Sequence, residues 1–234
     1  MRALSATLLV ALACACASVA AAAEPPPGRV GALYRYWDFS NGDDLRDPIV
    51  YWASGPFHVT LEYWDRMQGK DQFRPEMGLH LRDVRRSVYT VQWRHELDQE
   101  RFWAGTDQVL SGHWVGRAEV SPIVAKDRTD VVLSAGADYY WASYDFASAT
   151  VVRDPRDGGL WVVPLRVRFA TERNDWVQAT LSPASRRTLG WAFDAKLRWL
   201  RLGVERNNRF DFTTLDNVIY TLGVELQVPG LRLR

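Results

Sequence analysis

From residue 57 onward the chain alternates apolar and polar side chains with a period of two, in runs of about ten residues, and that rhythm confines it to β-structure. Phe57, Val59, Leu61 and Tyr63 share one face of the first run, with His58, Thr60 and Glu62 on the other. Phe73, Met77, Leu79 and Leu81 then oppose Arg74, Glu76 and His80, and Tyr89, Val91 and Trp93 oppose Thr90, Gln92, Arg94 and Glu96. The same alternation marks 113–121, 130–142 and 160–170. It is cleanest over 217–228, where Val218, Tyr220, Leu222, Val224, Leu226 and Val228 face one way. Weaker runs cover 30–39, 101–110, 144–153 and 176–182. The segment 190–206 changes phase between Trp199 and Leu200, so it is either two tightly joined strands or one strand with a bulge. Asn41-Gly42, Asp157-Gly158-Gly159 and Asn207-Asn208 punctuate the runs, and no two-turn helical pattern appears.

Periodicity does not say which face points inward. A soluble sandwich or barrel buries the apolar face, whereas an outer-membrane barrel turns it to lipid. Run length favours the membrane, because a tilted strand needs about 9–11 residues to cross and ordinary strands average about 5–6. The polar face carries Arg and Glu in mid-strand, as a lumen would. Aromatic residues (Phe57, Tyr63, Trp114, Tyr139, Trp141, Trp161, Trp199, Tyr220) fall toward strand ends, where interfacial girdles belong. The expected fold is therefore all-β, a closed antiparallel transmembrane β-barrel. Even strand numbers are usual, and about twelve strands are expected, with ten as the alternative. Pro75, Pro122 and Pro164 remove ladder donors and predict bulges.

Residues 1–23 read as a signal peptide: Met1-Arg2, an apolar stretch of small residues, then small-x-small sites before Glu24-Pro25-Pro26-Pro27. The barrel domain is then 24–234, exported across the inner membrane of a Gram-negative cell to its outer membrane. Ala11-Leu12-Ala13-Cys14 also offers a lipidation site at Cys14. Both cysteines, Cys14 and Cys16, lie in this leader, so the barrel is expected to carry no disulfide and no thiol chemistry. A net charge of +1 argues against nucleic acid as a partner. Lipid and the barrel-assembly machinery are the partners such a chain requires.

Chemistry must come from the polar face. Arg74, Glu76, Arg94, Arg117, Arg166, Arg168, Arg198 and Arg201 are the candidate lumen-lining residues for solute contact, together with Glu62, Glu96, Glu119, Lys196 and Glu225. Near-balanced signs predict a lumen laced with ion pairs, where a single-sign filter would need an excess on one wall. Arg166, Arg168, Arg198 and Arg201 form the best positive group for an acidic solute. A Ser–His hydrolase in the barrel wall is the enzymatic alternative, since His58, His80 and His113 lie on the polar face and His95 on the apolar one. No G-x-S-x-G elbow or metal-binding spacing occurs, so the chain is read as non-enzymatic, without metal or cofactor. A soluble periplasmic β-sandwich binding module is the other alternative.

Thr221-Leu222-Gly223-Val224-Glu225-Leu226-Gln227-Val228 resembles the carboxy-terminal insertion signal of outer-membrane barrels, with Thr221, Gly223, Leu226 and Val228 at the signal positions. Its hydrophobic positions are not aromatic, and Pro229 to Arg234 extend past it. The stretches 144–148, 185–188 and 209–213, with overall size, resemble small outer-membrane barrels of the YaiO-like kind over about residues 30–228. That resemblance implies a barrel connected with surface polysaccharide and supplies no catalytic residues. Small acidic-oligosaccharide porins are similar in size, but they end in an aromatic residue where this chain has Arg234.

Overall fold

In the computed structural model, residues 28–66, 71–82, 88–96, 99–156, 159–172, 175–185, 188–208 and 216–228 are described. The expected signal peptide, with Cys14, lies outside them. Fifteen strand segments follow in chain order. They are β1 (Gly28–Phe39), β2 (Asp44–Ser54), β3 (Phe57–Arg66), β4 (Gln72–Arg82), β5 (Val88–Glu96), β6 (Gln99–Ser111), β7 (Trp114–Val124) and β8 (Thr129–Tyr140). Then come β9 (Phe146–Asp154), β10 (Leu160–Val162), β11 (Leu165–Glu172), β12 (Asp175–Ser182), β13 (Gly190–Leu197), β14 (Leu200–Arg206) and β15 (Asn217–Val228).

Every pairing is antiparallel, and the sheet closes on itself through β1 and β15, which pair from Gly28↔Val228 to Phe39↔Asn217. β10 and β11 are one strand in two pieces. Leu160↔Asp154 and Leu165↔Ala149 keep the same register against β9, and Val162↔Ala184 continues the register that β11 holds with β12. The barrel therefore has fourteen strand positions, not the expected twelve, and the even number is kept. Two departures account for the difference: β2 carries too irregular a pattern to be read, and 190–206 resolves into the hairpin β13–β14.

The prolines do not make bulges. Pro75 pairs with Leu61 and Pro122 with Val131 in unbroken register, while Pro164 fills the gap between β10 and β11, its carbonyl accepting from Thr150 N at 3.1 Å. The register shifts lie elsewhere, at Val109/Ser111 and Ala170/Glu172.

The faces sort by polarity. Val50, Phe73, Met77, Phe193, Leu222 and Leu226 are each more than half exposed on the outer wall, while Arg35, Asp47, Glu62, Arg74 and Glu96 are buried inside. This is the reverse of a water-soluble core, and it is what a hydrocarbon solvent around the barrel demands. Aromatics rim the outer wall at both ends: Phe57, Trp114, Tyr139 and Trp199 at the end holding the strand termini, Tyr63, Trp161 and Trp191 at the other. Connections differ as well. At the terminus end four of the six span two residues (55–56, 112–113, 173–174, 198–199), whereas the opposite, loop end has connections as long as 183–189 and 207–216.

Candidate functional site

The lumen has two unlike halves. Toward the loop end it is a packed core, with Trp37, Phe39, Leu45, Trp64 and Ile219 in one inward-facing cluster. Ile123, Val132, Leu160, Val162 and Ala192 are buried on the other strands. Trp37 lies 6.0 Å from both Phe39 and Trp64, ring centre to ring centre. Every strand position except β6 places at least one buried inward side chain in this half.

Beneath the aromatic layer, an alternating chain of charges runs around the wall from β1 to β5. Arg35 Nε meets Asp47 Oδ2 at 2.8 Å and its Nη2 meets Glu62 Oε1 at 2.5 Å. Arg74 lies 3.6 Å from Glu62 and 2.5 Å from Glu96. Arg94 continues the series, 3.4 Å from Glu96, with Nε donating to Glu76 Oε2 at 2.7 Å. His58 Nε2 ends it, 3.6 Å from Glu76. Strand alternation makes the chain: each of these positions faces inward, and strand tilt brings neighbouring strands' charges to one height. Trp64 braces it twice, donating from Nε1 to Glu62 at 2.9 Å and lying under the Arg74 guanidinium at 3.7 Å. Such buried pairs are nearly self-cancelling while intact, and removing one partner is what costs.

The terminus half is open. A cavity of about 480 Å³ is lined by Arg29, Arg168, Lys196 and Arg201, with Glu225 as its one carboxylate, and by Tyr140, Tyr144, Phe146 and Trp176. A second cavity, of about 340 Å³, shares Arg201 and Glu225 with it and reaches up to Arg35, Glu62 and Arg94. Together they form a vestibule whose inner end is the charged chain. Arg168 is fixed on three sides: Nε and Nη2 donate to Gln178 Oε1 at 3.0 and 2.6 Å, and the guanidinium lies over Trp176 at 4.3 Å and Phe146 at 5.0 Å. Lys196 and Tyr51 both donate to Glu225. Tyr51 reaches it by lying over Gly31, where a Cβ would sit 2.3 Å from the ring.

Most of the sequence-predicted positions lie on the inner wall. Arg74, Glu76 and Arg94 belong to the charged chain; Arg117 pairs with Asp138 at 2.8 Å and Asp107 at 3.3 Å; Arg166, Arg168 and Arg201 face the lumen. Arg198 does not. It occupies the β13–β14 turn with φ 56°, exposed, its backbone N–H donating to Asp175, so it leaves the arginine group. Thr221 and Gly223 face inward on β15, and Leu226 and Val228 face outward. Arg35, Asp47, Tyr51, Tyr140, Trp176 and Gln178 were missed. Arg35 and Gln178 were legible as polar members of their runs; Asp47 lies on β2, where neither face is uniform, and Tyr51, Tyr140 and Trp176 are aromatic residues on the inner face. The histidines have partners that are not serine: Gln92 for His58, Thr90 for His80, Glu100 for His95 and the Tyr140 carbonyl for His113.

No protein-family model matches the chain, and no curated protein matches it in sequence. Solved structures do. The TodX ΔS2S3 mutant, a monoaromatic hydrocarbon channel, superposes with a TM-score of 0.58 at 7% identity, covering 91% of this chain and 93% of that one. The Acinetobacter baumannii outer membrane protein Omp33 gives 0.54 at 11% identity (87% and 99%), and the KdgM porin 0.51 at 8% (85% and 99%). The fold is that of outer-membrane porins and channels. At these identities the likeness fixes architecture alone.

Proposed function

We propose that the chain is an integral outer-membrane β-barrel that handles small polar solutes without catalysing a reaction. The observation that carries this reading is the inversion of polarity in a closed barrel: apolar side chains outside, and inside them a charged lumen that opens into a vestibule. Shorter turns at the terminus end support a periplasmic position for that end, with the longer connections outside. Arg74, Glu76, Arg94, Arg117, Arg166, Arg168 and Arg201 line the solute's surroundings, and Thr221, Gly223, Leu226 and Val228 serve insertion by the assembly machinery.

The excess of cations in the vestibule favours an anionic solute. One structural neighbour, a KdgM porin, was solved in complex with disordered oligogalacturonate, an acidic saccharide, which supports the same direction. The YaiO-like resemblance, with its surface-polysaccharide connection, agrees with a saccharide-related role. Cell fractionation with gels run with and without boiling tests the reading. The folded barrel stays with the outer membrane and changes apparent mass on heating; release by osmotic shock as a heat-insensitive soluble protein overturns it.

A further inference from the structure

We infer that the vestibule is a dead-ended, periplasm-facing binding site for a carboxylate carried on a ring, built around a pre-set Arg168. This rests on the barrel reading and adds to it the side of entry, the ligand chemistry and the residue that receives it.

Three observations converge. First, the lumen is asymmetric along its axis: the loop half is packed with buried side chains, while the cavity shared by Arg29, Arg168, Lys196 and Arg201 lies at the terminus half, among residues of the 141–145 connection. A ligand therefore enters from the terminus end and stops at the Arg35–Glu62–Arg94 level. Second, the signs do not balance there. Four cations face one carboxylate, Glu225, which Lys196 and Tyr51 already occupy. Asp194, across from Gln178 on the same wall, lies outside the cavity lining. The opposite wall, β1 to β5, neutralises its arginines with its own carboxylates. Third, Arg168 is immobilised before any ligand arrives. Gln178 takes Nε and Nη2, and the rings of Trp176 and Phe146 hold the guanidinium plane, which leaves Nη1 to donate to a carboxylate. A pre-organised guanidinium loses little freedom on pairing, and a planar donor suits a carboxylate better than a flexible ammonium does. Tyr140 and Trp176 supply flat faces against which a sugar or aromatic ring stacks. A cavity of about 480 Å³ lies within the range of about 300–1,000 Å³ typical of small-molecule sites.

The test uses the full chain purified in detergent, titrated calorimetrically with galacturonate against galactose and with benzoate against benzamide. Each pair differs in charge while keeping its ring. The site predicts at least tenfold tighter binding of the acid in one pair or both, lost in Arg168→Gln and weakened in Gln178→Leu, while both variants keep the wild-type heat-modifiable band. The sugar pair and the aromatic pair separate the two sources of the ring. Equal binding of acid and neutral partner, or acid binding unchanged in Arg168→Gln, overturns the proposal. Sidedness is read from Ser143→Cys, at the vestibule mouth, in a Cys14→Ser and Cys16→Ser background. A membrane-impermeant maleimide should label it only after the outer membrane is permeabilised, and the preferred acid should slow labelling several-fold. Labelling in intact cells overturns the periplasmic entry. A protein without a heat-modifiable band fails as a barrel, whereas a heat-modifiable protein that shows no acid preference fails this inference alone.

Discussion

Arg74 shows what a charge inside this barrel requires. It is 1% exposed, it is shared between Glu62 and Glu96, and its guanidinium rests on the ring of Trp64. Arg74→Met removes the cation from between two buried carboxylates, and the expected loss is about 3–5 kcal/mol. The folded band should convert at a markedly lower temperature in a heating series on gels. Adding Glu62→Gln and Glu96→Gln should recover part of that loss, because the unpaired charges then disappear. The outer wall obeys the opposite rule. Leu222, 56% exposed in mid-strand, faces hydrocarbon, and Leu222→Arg should cost about 2–4 kcal/mol in a bilayer. Thr221→Arg, one residue away beside Glu62 and Glu225, should cost far less. Equal costs in urea titrations of liposome-inserted protein would mean that the faces are wrongly assigned.

Among the elements, those whose two faces differ in polarity were legible, and those that contribute to the apolar lumen core were not. β3, β4 and β15 show clean alternation because their inward rows are polar along most of their length, and β15 spans the expected 217–228. β2 defeats the alternation rule. Leu45 and Ile49 point inward beside Asp47, while Arg46 and Pro48 point outward, so neither face looks uniform. The inward Trp37 and Phe39 blur β1 for the same reason. The Tyr51–Glu225–Lys196 network joins β2, β15 and β13, and only the closing β15–β1 pair brings these distant segments together. Arg198 went astray because a strand carried through the 190–206 phase change would keep it on the wall, whereas the observed tight turn removes it. Its positive φ is unfavourable for a side chain with a Cβ, so Arg198→Gly should stabilise the hairpin by about 1 kcal/mol and leave acid binding unchanged. A fall in acid affinity would return Arg198 to the site.

The loop-end connection before β15 carries a pH-sensitive tie. Asp216 accepts from Thr188 at 2.8 Å and from Asn207 at 2.9 Å, with Arg206 3.6 Å away. The Thr188 hydrogen bond, then those of Asn207 and the Arg206 charge, hold its carboxyl below the usual carboxylate range. A depressed folded pKa means the stabilisation is fully present above the unfolded value and is lost as pH falls through the folded one. Pepsin cleavage within 207–216 should therefore accelerate only below the ordinary Asp range. Asp216→Asn should remove that pH dependence.

For the whole molecule, the decisive quantity is how much of the lumen remains as water. Fourteen strands enclose more space than twelve, yet every strand position except β6 fills the loop half with buried side chains. The charged chain from Asp47 to Glu76 then spans the wall at the vestibule's inner end. An ion crossing the barrel must pass both layers, the buried side chains of the loop half and the ion-paired chain beneath them. Planar-bilayer recordings should accordingly show small or no channels from the unmodified protein. Charge removal should change this in a set direction. Changing Glu62, Glu96 and Glu119 together to Gln strips Arg74 of both its carboxylates, leaves Arg35 with Asp47 and Arg94 with Glu76, and removes the carboxylate facing Arg101, so that guanidinium groups must hydrate. Hydration draws water into the packed half, so the variant should conduct more than the parent and prefer anions, at a lower unfolding temperature. A large, steady, anion-selective current from the unmodified protein would mean that the loop half opens in the bilayer, and that the vestibule is the inner mouth of a conduit with Arg168 as a waypoint.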